Sequence, residues 1–327
     1  MSRAASPAHG SASEPRRFAA IDIGSDTVHL LIAEVTGPPA SGRLRAIHSD
    51  SDLVELGRVV DRRGRITTSA EADVRRRLDR MVRRARKAEA SVLIAATAAS
   101  RQAANGHEVL ARLAAHVGTP IRLLSPAREA QLGFAGVRPE LPGRGDLIVI
   151  DSGGASTEAT LARGRTIAQS ASLPVGAALL AAELKGDPPP PIEWALTSIR
   201  IGATLGALPA GRPRRAIATG GTAHGLLELS RFRSRHRHGS ALEVTLGELE
   251  KVAAGLLARP AARIGSDAGI DPRRVALLAP GILILSAILR HYRLSEFRVV
   301  EAGLREGMIR AAAANADGWW LDAPPPA

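Results

Sequence analysis

Apolar positions along this chain fall into two kinds of pattern. Short apolar-rich runs with β-branched residues predict strands at Phe18–Gly24, Val28–Val35, Val92–Ala96 and Ile121–Leu124, and a further strand, interrupted by polar residues, at Leu44–Leu56. Apolar residues at helical spacing predict helices between and after them. The longest lies near Ser69–Ala88, with Val74, Leu78, Met81 and Ala85 on one face and a surface rich in Arg and Lys elsewhere. Helices at Glu108–His116 and Ala127–Val137 complete the first half. The second half repeats the order: strands at Leu147–Asp151, Ser156–Leu161 and Thr166–Ser172, then helices at Ala177–Leu184 and Ile192–Leu205. Strand Ala216–Thr219, helices Thr222–Ser230 and Leu246–Ala258, a helical stretch Arg273–Tyr292 expected to break or kink at Pro280, strand Phe297–Val300 and helix Leu304–Ala314 follow.

The two halves share more than element order. Phe18–Thr27 ends an apolar strand with Asp22, followed by Gly24, Ser25 and Asp26. Leu147–Glu158 does the same with Asp151, followed by Gly153, Gly154, Ala155, Ser156 and Thr157. Small residues in such a turn let backbone N–H groups approach an anion, and hydroxyls add donors. A carboxylate at the strand end can hold a hard cation beside that anion. Two such hairpins half a chain apart imply two similar domains closing on one phosphate-bearing ligand. The expected fold class is α/β, with two βββαβαβα domains of the actin/hexokinase (ribonuclease H-like) superfold and a cleft between them. The expected boundaries are a disordered tail at 1–17, a phosphate-binding domain at 18–137, a Pro/Gly hinge at 138–145, a second phosphate-binding domain at 146–315 and a tail at 316–327.

Composition narrows the chemistry. The 327 residues are 45% apolar but only 2% aromatic, so the cores are aliphatic. Cysteine is absent, which excludes disulfides and thiolate metal sites and suits a reducing cytoplasm. No unbroken apolar run reaches the ~18 residues that span a membrane. The net charge of +12 comes almost wholly from arginine, since lysine occurs only at 87, 185 and 251. Such a chain suits a polyanionic partner. The densest cluster, Arg231, Arg233, Arg235 and Arg237 with His236 and His238, is either a solvated loop or a landing strip for a polyanion. Only Phe232 interleaves with these arginines, which argues against a nucleic-acid stacking platform.

Seven blocks, in order, carry a resemblance to the exopolyphosphatase / guanosine pentaphosphate phosphohydrolase family. They are Ile21–His29, Ala96–Gly106, Leu124–Val137, Asp151–Glu158, Ser172–Gly176, Ala218–Ala223 and Gly303–Gly307. The resemblance implies Mg²⁺-dependent hydrolysis of the terminal phosphoanhydride of inorganic polyphosphate. Guanosine pentaphosphate is the alternative substrate, and a catalytically weak sensor of the same fold is the alternative class. Glu129 falls on the family's catalytic base, and Glu158 on a residue that positions water or metal. Asp22, Asp151 and Glu158 are the expected metal ligands. Gly24, Ser25, Asp26, Arg101, Gly153, Gly154, Ala155, Ser156, Thr157, Gly220, Gly221 and Thr222 are the expected phosphate-binding positions. His29 is read as a packed core residue. Nucleic acid and membrane are not expected as partners, and a homodimer stands open beside a monomer.

Four departures bear on activity. Asp26 replaces the usual Asn of the first loop, and Ala155 replaces a glycine of the second. Pro126 and Arg128 replace a Gly and the first of two adjacent acidic residues, of which Glu129 is the second.

Overall fold

A computed structural model describes residues 16–38, 42–54, 56, 64–233 and 242–322. The first sheet contains β1 (Arg16–Ile23), β2 (Thr27–Thr36), β3 (Arg43–Leu53), β4 (Ser91–Ala96) and β5 (Ile121–Leu123), in the order β3-β2-β1-β4-β5. Its helices are α1 (Thr68–Lys87), α2 (Ala98–Gln102), α3 (Gly106–Val117) and α4 (Pro126–Val137). The second sheet begins with β6 (Asp146–Ser152), β7 (Thr157–Arg163) and β8 (Thr166–Leu173), followed by α5 (Ala177–Glu183), α6 (Pro191–Thr204) and β9 (Arg215–Thr219). Then come α7 (Gly220–Arg233), β10 (Leu242–Thr245), α8 (Leu246–Leu257), α9 (Ala261–Ala268), α10 (Pro272–Tyr292), β11 (Glu296–Val299) and α11 (Leu304–Ala314).

The second sheet runs β10-β11-β9-β6-β7-β8, so β8-β7-β6-β9-β11 repeats β3-β2-β1-β4-β5 and β10 is an added edge. Both sheets are mixed, with an antiparallel three-strand meander beside parallel strands. The architecture is two-lobed and α/β, with the repeated sheet order that the duplicated pattern implies.

Each sheet is covered on both faces, which is why its central strands read as unbroken apolar runs. Along β1, Ala19, Ile21 and Ile23 face α1 and α3, while Phe18 and Ala20 face the opposite side. Helix α1 buries Val74, Leu78, Met81 and Ala85 as expected. Thr67 caps its first turn, accepting the Ala70 N–H, and Arg84, Arg86 and Lys87 lie at its negative end. Many of its arginines meet local carboxylates: Arg80 pairs with Asp52, and Arg76 and Arg77 with Asp73.

The other faces are covered by a crossover. Helix α4, from the first half, lays Phe134 and Val137 on Leu147 and Val149 of the second sheet. Helix α11, from the end of the chain, lays Met308, Ile309 and Ala312 on Phe18 and Leu31 of the first. The two helices touch where glycines remove the side chains. A Cβ on Gly136 would stand 1.8 Å from the Gly303 carbonyl oxygen, and one on Gly307 1.8 Å from that of Leu132. Helix α11 thus belongs to the first lobe's core although it follows the second lobe in sequence.

Helix α10 differs from expectation: it is one 21-residue helix, unbroken at Pro280. It is the spine of the second core, with Ile282, Ile284, Leu285, Ile288 and Leu289 buried. Packing on all sides holds the helix through the missing N–H. It is long and apolar enough to cross a membrane by length and composition, but its apolar surface is turned inward. Of the basic cluster, residues 231–233 close α7 while 234–241 lie outside the described residues, as do 1–15 and 323–327 of the expected tails.

Candidate active site

Between the lobes lies a cleft of about 460 Å³. Three turns form its floor. The β1–β2 turn is closed by the Gly24 N–H donating to the Thr27 carbonyl at 3.0 Å. The β6–β7 turn is closed by the matching bond, Gly153 N–H to the Ser156 carbonyl at 3.1 Å. The third turn leads from β9 into α7 through Gly220, Gly221 and Thr222, all on the cleft wall. Gly220 has φ +85°, and a Cβ there would stand 2.2 Å from Asp151 Oδ1. Only glycine meets both constraints. The first residues of α7 line the cleft, and a helix's first N–H groups, which have no partner within the helix, stabilise an anion.

The first two turns face each other. A Cβ on Gly154 would lie 1.8 Å from Asp26 Oδ2, so the second turn is shaped to receive the Asp26 side chain from the other lobe. Asp26 is 7% exposed and sits at this junction. Ser152 is fully buried and shares a hydrogen bond with the Thr222 hydroxyl at 3.1 Å.

Four carboxylates line the cleft: Asp22, Glu129, Asp151 and Glu158. Register explains three of them. Asp22 ends β1 opposite His29 of β2, and Asp151 ends β6 opposite Glu158 of β7. Glu129 comes from the first turn of α4. Burial dominates their chemistry. It pushes Asp22 up to about 7, an effect opposed by the Arg305 charge and reinforced by Glu158. It pushes Asp151 to about 7 as well, with Glu158 and Asp22 adding to the shift. Glu129 is held well above the usual carboxylate range by burial and then by the Glu158 charge, with Arg101 pulling the other way. Glu158 is raised by burial, opposed by hydrogen bonds from Ser172 and Ser156. The Ser172 hydroxyl donates to Glu158 Oε1 at 2.7 Å.

Such crowding of desolvated negative charge is costly without a cation. The donor set is hard oxygen, and Asp22 Oδ1 is buried with no hydrogen-bond partner. These features fit a divalent ion. No three His, Asp or Glu side chains among the described residues cluster tightly enough to hold one alone. That fits an ion completed by water and substrate phosphates, as Mg²⁺ usually is.

Two positions differ from their expected place. Arg101 is not on the cleft wall. Its guanidinium donates to the Leu124 carbonyl at 2.7 Å and to Glu129 Oε2 at 3.0 Å, placing it behind the carboxylate. Thr157 is fully buried and donates to the Val175 carbonyl at 2.7 Å, bracing the turn from below. The structure also adds residues. His29 lines the cleft rather than the core, since it lies at the start of β2, beside the β1–β2 turn and opposite Asp22. His224 lines it too, its ring within hydrogen-bonding distance of the Glu301 carbonyl at 2.9 Å. Burial and the Arg305 charge lower both histidines, so both are neutral near pH 7. Arg305 and Arg274 bring positive charge from the second half of the chain to β2 and β3: Arg305 reaches the Leu30 carbonyl and Ser49, and Arg274 reaches Ser51. Arg305 sits inside the Gly303–Gly307 block, where its position alone marks it for attention.

Known proteins with this organisation agree in fold and sequence. The chain is 28% identical over 313 residues to exopolyphosphatase 1 of Mycobacterium leprae, covering 92% of this chain and 91% of that one. It is 26% identical over 317 residues to exopolyphosphatase 2 of Mycobacterium tuberculosis, covering 91% and 98%. Among solved structures, an exopolyphosphatase from Cytophaga hutchinsonii superposes with a TM-score of 0.82 at 21% identity, covering 91% and 98%. The Aquifex aeolicus Ppx/GppA enzyme superposes with a TM-score of 0.74 at 26% identity, covering 91% and 99%. The model of the Ppx/GppA phosphatase family matches residues 38–315, which includes every quoted block but the first. That first block is supplied by the structure, in which the β1–β2 turn repeats the geometry of the β6–β7 turn. The chain belongs to the Ppx/GppA phosphatase family.

Proposed function

We propose that this protein is a phosphoanhydride hydrolase that removes the terminal phosphate of inorganic polyphosphate, with Mg²⁺ as its ion. The observation that carries the reading is the convergence of four carboxylates, all with raised proton affinity, on three Gly/Ser/Thr turns in one cleft. The turns supply N–H and hydroxyl donors for the terminal phosphate. Asp22 and Asp151, with Glu158 beside them, would hold the cation, which when bound offsets the negative charge of the substrate's last phosphates. Relatives that cover nine-tenths of the chain are exopolyphosphatases.

The chemical step asks little covalent work of the protein. A water attacks the terminal phosphorus, the bond from that phosphorus to the bridging oxygen breaks, and the shortened polyphosphate leaves with the bond electrons. Glu129 orients the water and accepts its proton. Its raised proton affinity suits a general base, and Arg101 opposes the rise. Arg305 lends positive charge to the same space. Neutral His29 and His224 fill the wall without adding charge.

The test is a phosphate-release assay with the purified protein, Mg²⁺, and a panel of polyphosphates, guanosine pentaphosphate and nucleoside triphosphates. Release from polyphosphate supports the reading. Release from guanosine pentaphosphate alone moves the assignment to the other branch of the family's chemistry. No release from any substrate, with binding retained, makes the protein a sensor.

A further inference from the structure

We propose that the C-terminal segment Trp319–Asp322 is a strap that positions Glu129, and that Arg128 is the positioning residue through which it acts. The inference rests on the reading of Glu129 as the base. Glu129 stands on the first turn of α4, and a helix's first turn frays unless its N–H groups are held. Here Ser125 caps the turn, its hydroxyl accepting the Arg128 N–H at 3.0 Å. The same hydroxyl donates to Asp322 Oδ1 at 2.5 Å, so the cap is itself tied to the end of the chain.

Arg128 makes the second tie. Its Nε donates to the Trp319 carbonyl at 2.9 Å, one terminal nitrogen donates to that same oxygen, and the other donates to Gln131 at 3.1 Å. Trp319 is fixed in turn, 4% exposed among Phe18, Leu31, Leu132 and Met308. Trp320 makes the third tie: the Arg122 guanidinium lies 3.7 Å above its ring. Arg122 belongs to β5, just before the loop that enters α4. The strap therefore grips the β5–α4 connection on both sides of Ser125.

This accounts for one of the chain's departures. An acidic residue at 128 could not donate to a carbonyl. Arginine there and a buried tryptophan carbonyl opposite form a matched pair. Successive residues on a helix point about 100° apart, so Arg128 faces the strap while Glu129 faces the cleft. The strap touches no reacting atom; it sets where the first turn stands. Misplacing a catalytic group by an ångström costs up to roughly 10²-fold in rate.

The test compares wild type, Arg128→Met, Arg128→Lys, Asp322→Ala, Glu129→Gln and the double variant Arg128→Met/Glu129→Gln with polyphosphate as substrate. Arg128→Met should lower kcat by roughly 10-fold to 10²-fold with KM changed less than about twofold. Arg128→Lys, which keeps a donor, should recover most of the loss. Asp322→Ala, an exposed change that leaves Trp319 packed, should lower kcat in the same direction by a smaller factor. In the Glu129→Gln background Arg128→Met should add almost nothing, because the strap acts through Glu129. An additive loss in the double variant, or a rise in KM with kcat kept, overturns the strap. Wild-type turnover in Glu129→Gln overturns the base assignment and the strap with it, a different result in a different arm.

Discussion

One terminal nitrogen of Arg101 lies 3.0 Å from Glu129 Oε2 and 2.7 Å from the Leu124 carbonyl oxygen, so a single guanidinium holds both the base and the loop that leads to its helix. Its charge and hydrogen bond pull the Glu129 proton affinity down against burial and Glu158. Glu129 must be ionised to accept a proton. Arg101→Met should therefore move the acid limb of the kcat–pH profile to higher pH and lower kcat at neutral pH. An unchanged limb with a raised KM would make Arg101 a substrate ligand instead.

Asp22 and Asp151 predict how the metal-free protein responds to pH. Each carboxyl goes from 3.8 unfolded to about 7 folded. Between those values the folded chain keeps protons that the unfolded chain has shed. The stability these groups contribute is full below 3.8 and is lost as pH rises through 7. A divalent cation replaces the lost protons. Mg²⁺ should therefore raise the melting temperature more at pH 7.5 than at pH 5.5, measured after chelation and readdition. An equal rise at both pH values would argue that the ion binds elsewhere.

Gly220 tests the cradle. Its φ of +85° and the 2.2 Å approach of a Cβ to Asp151 Oδ1 leave no room for alanine. Gly220→Ala should cost about 1–3 kcal/mol in denaturant unfolding and abolish most turnover. Gly202→Ala, in the exposed interior of α6 with nothing within 4 Å, should be neutral or stabilising by up to about 1 kcal/mol. Equal effects at both sites would remove the special role of Gly220.

Asp26 tests the first loop. Its carboxylate fills the space over Gly154, at the junction of the two lobes. If it also contributes to the cation's field, Asp26→Asn should raise the Mg²⁺ concentration for half-maximal activity at fixed substrate. Superimposable titrations of wild type and variant would leave it a lobe contact alone.

Much of this was legible along the chain because both sheets are buried on both faces. Phe18–Ile21 and Leu147–Ile150 therefore read as unbroken apolar runs, and each is followed by an Asp ahead of a turn of small residues. The long face of α1 was legible for the same reason. Long-range packing was not. Nothing local in Ala127–Val137 or Leu304–Ala314 says that each helix covers the other lobe's sheet; that is decided by the contact of Gly136 with Gly303 and of Gly307 with Leu132. The break that Pro280 allows does not occur, because the packing around α10 carries the helix through it. His29 misled because its buried strand suggested a core side chain, while its pairing with Asp22 sets it at the cleft. Arg101 stood out by position, but in an arginine-rich chain only the fold shows that its partner is Glu129.

The central claim is that this cleft hydrolyses polyphosphate with Glu129 as base. The most direct measurement is steady-state phosphate release from polyphosphate by wild type and Glu129→Gln, with Mg²⁺ and with substrate binding measured in parallel. The account predicts release by wild type and a fall of roughly 10²–10⁴-fold in kcat for the variant, with binding little changed. Turnover of the variant within a few-fold of wild type would contradict it.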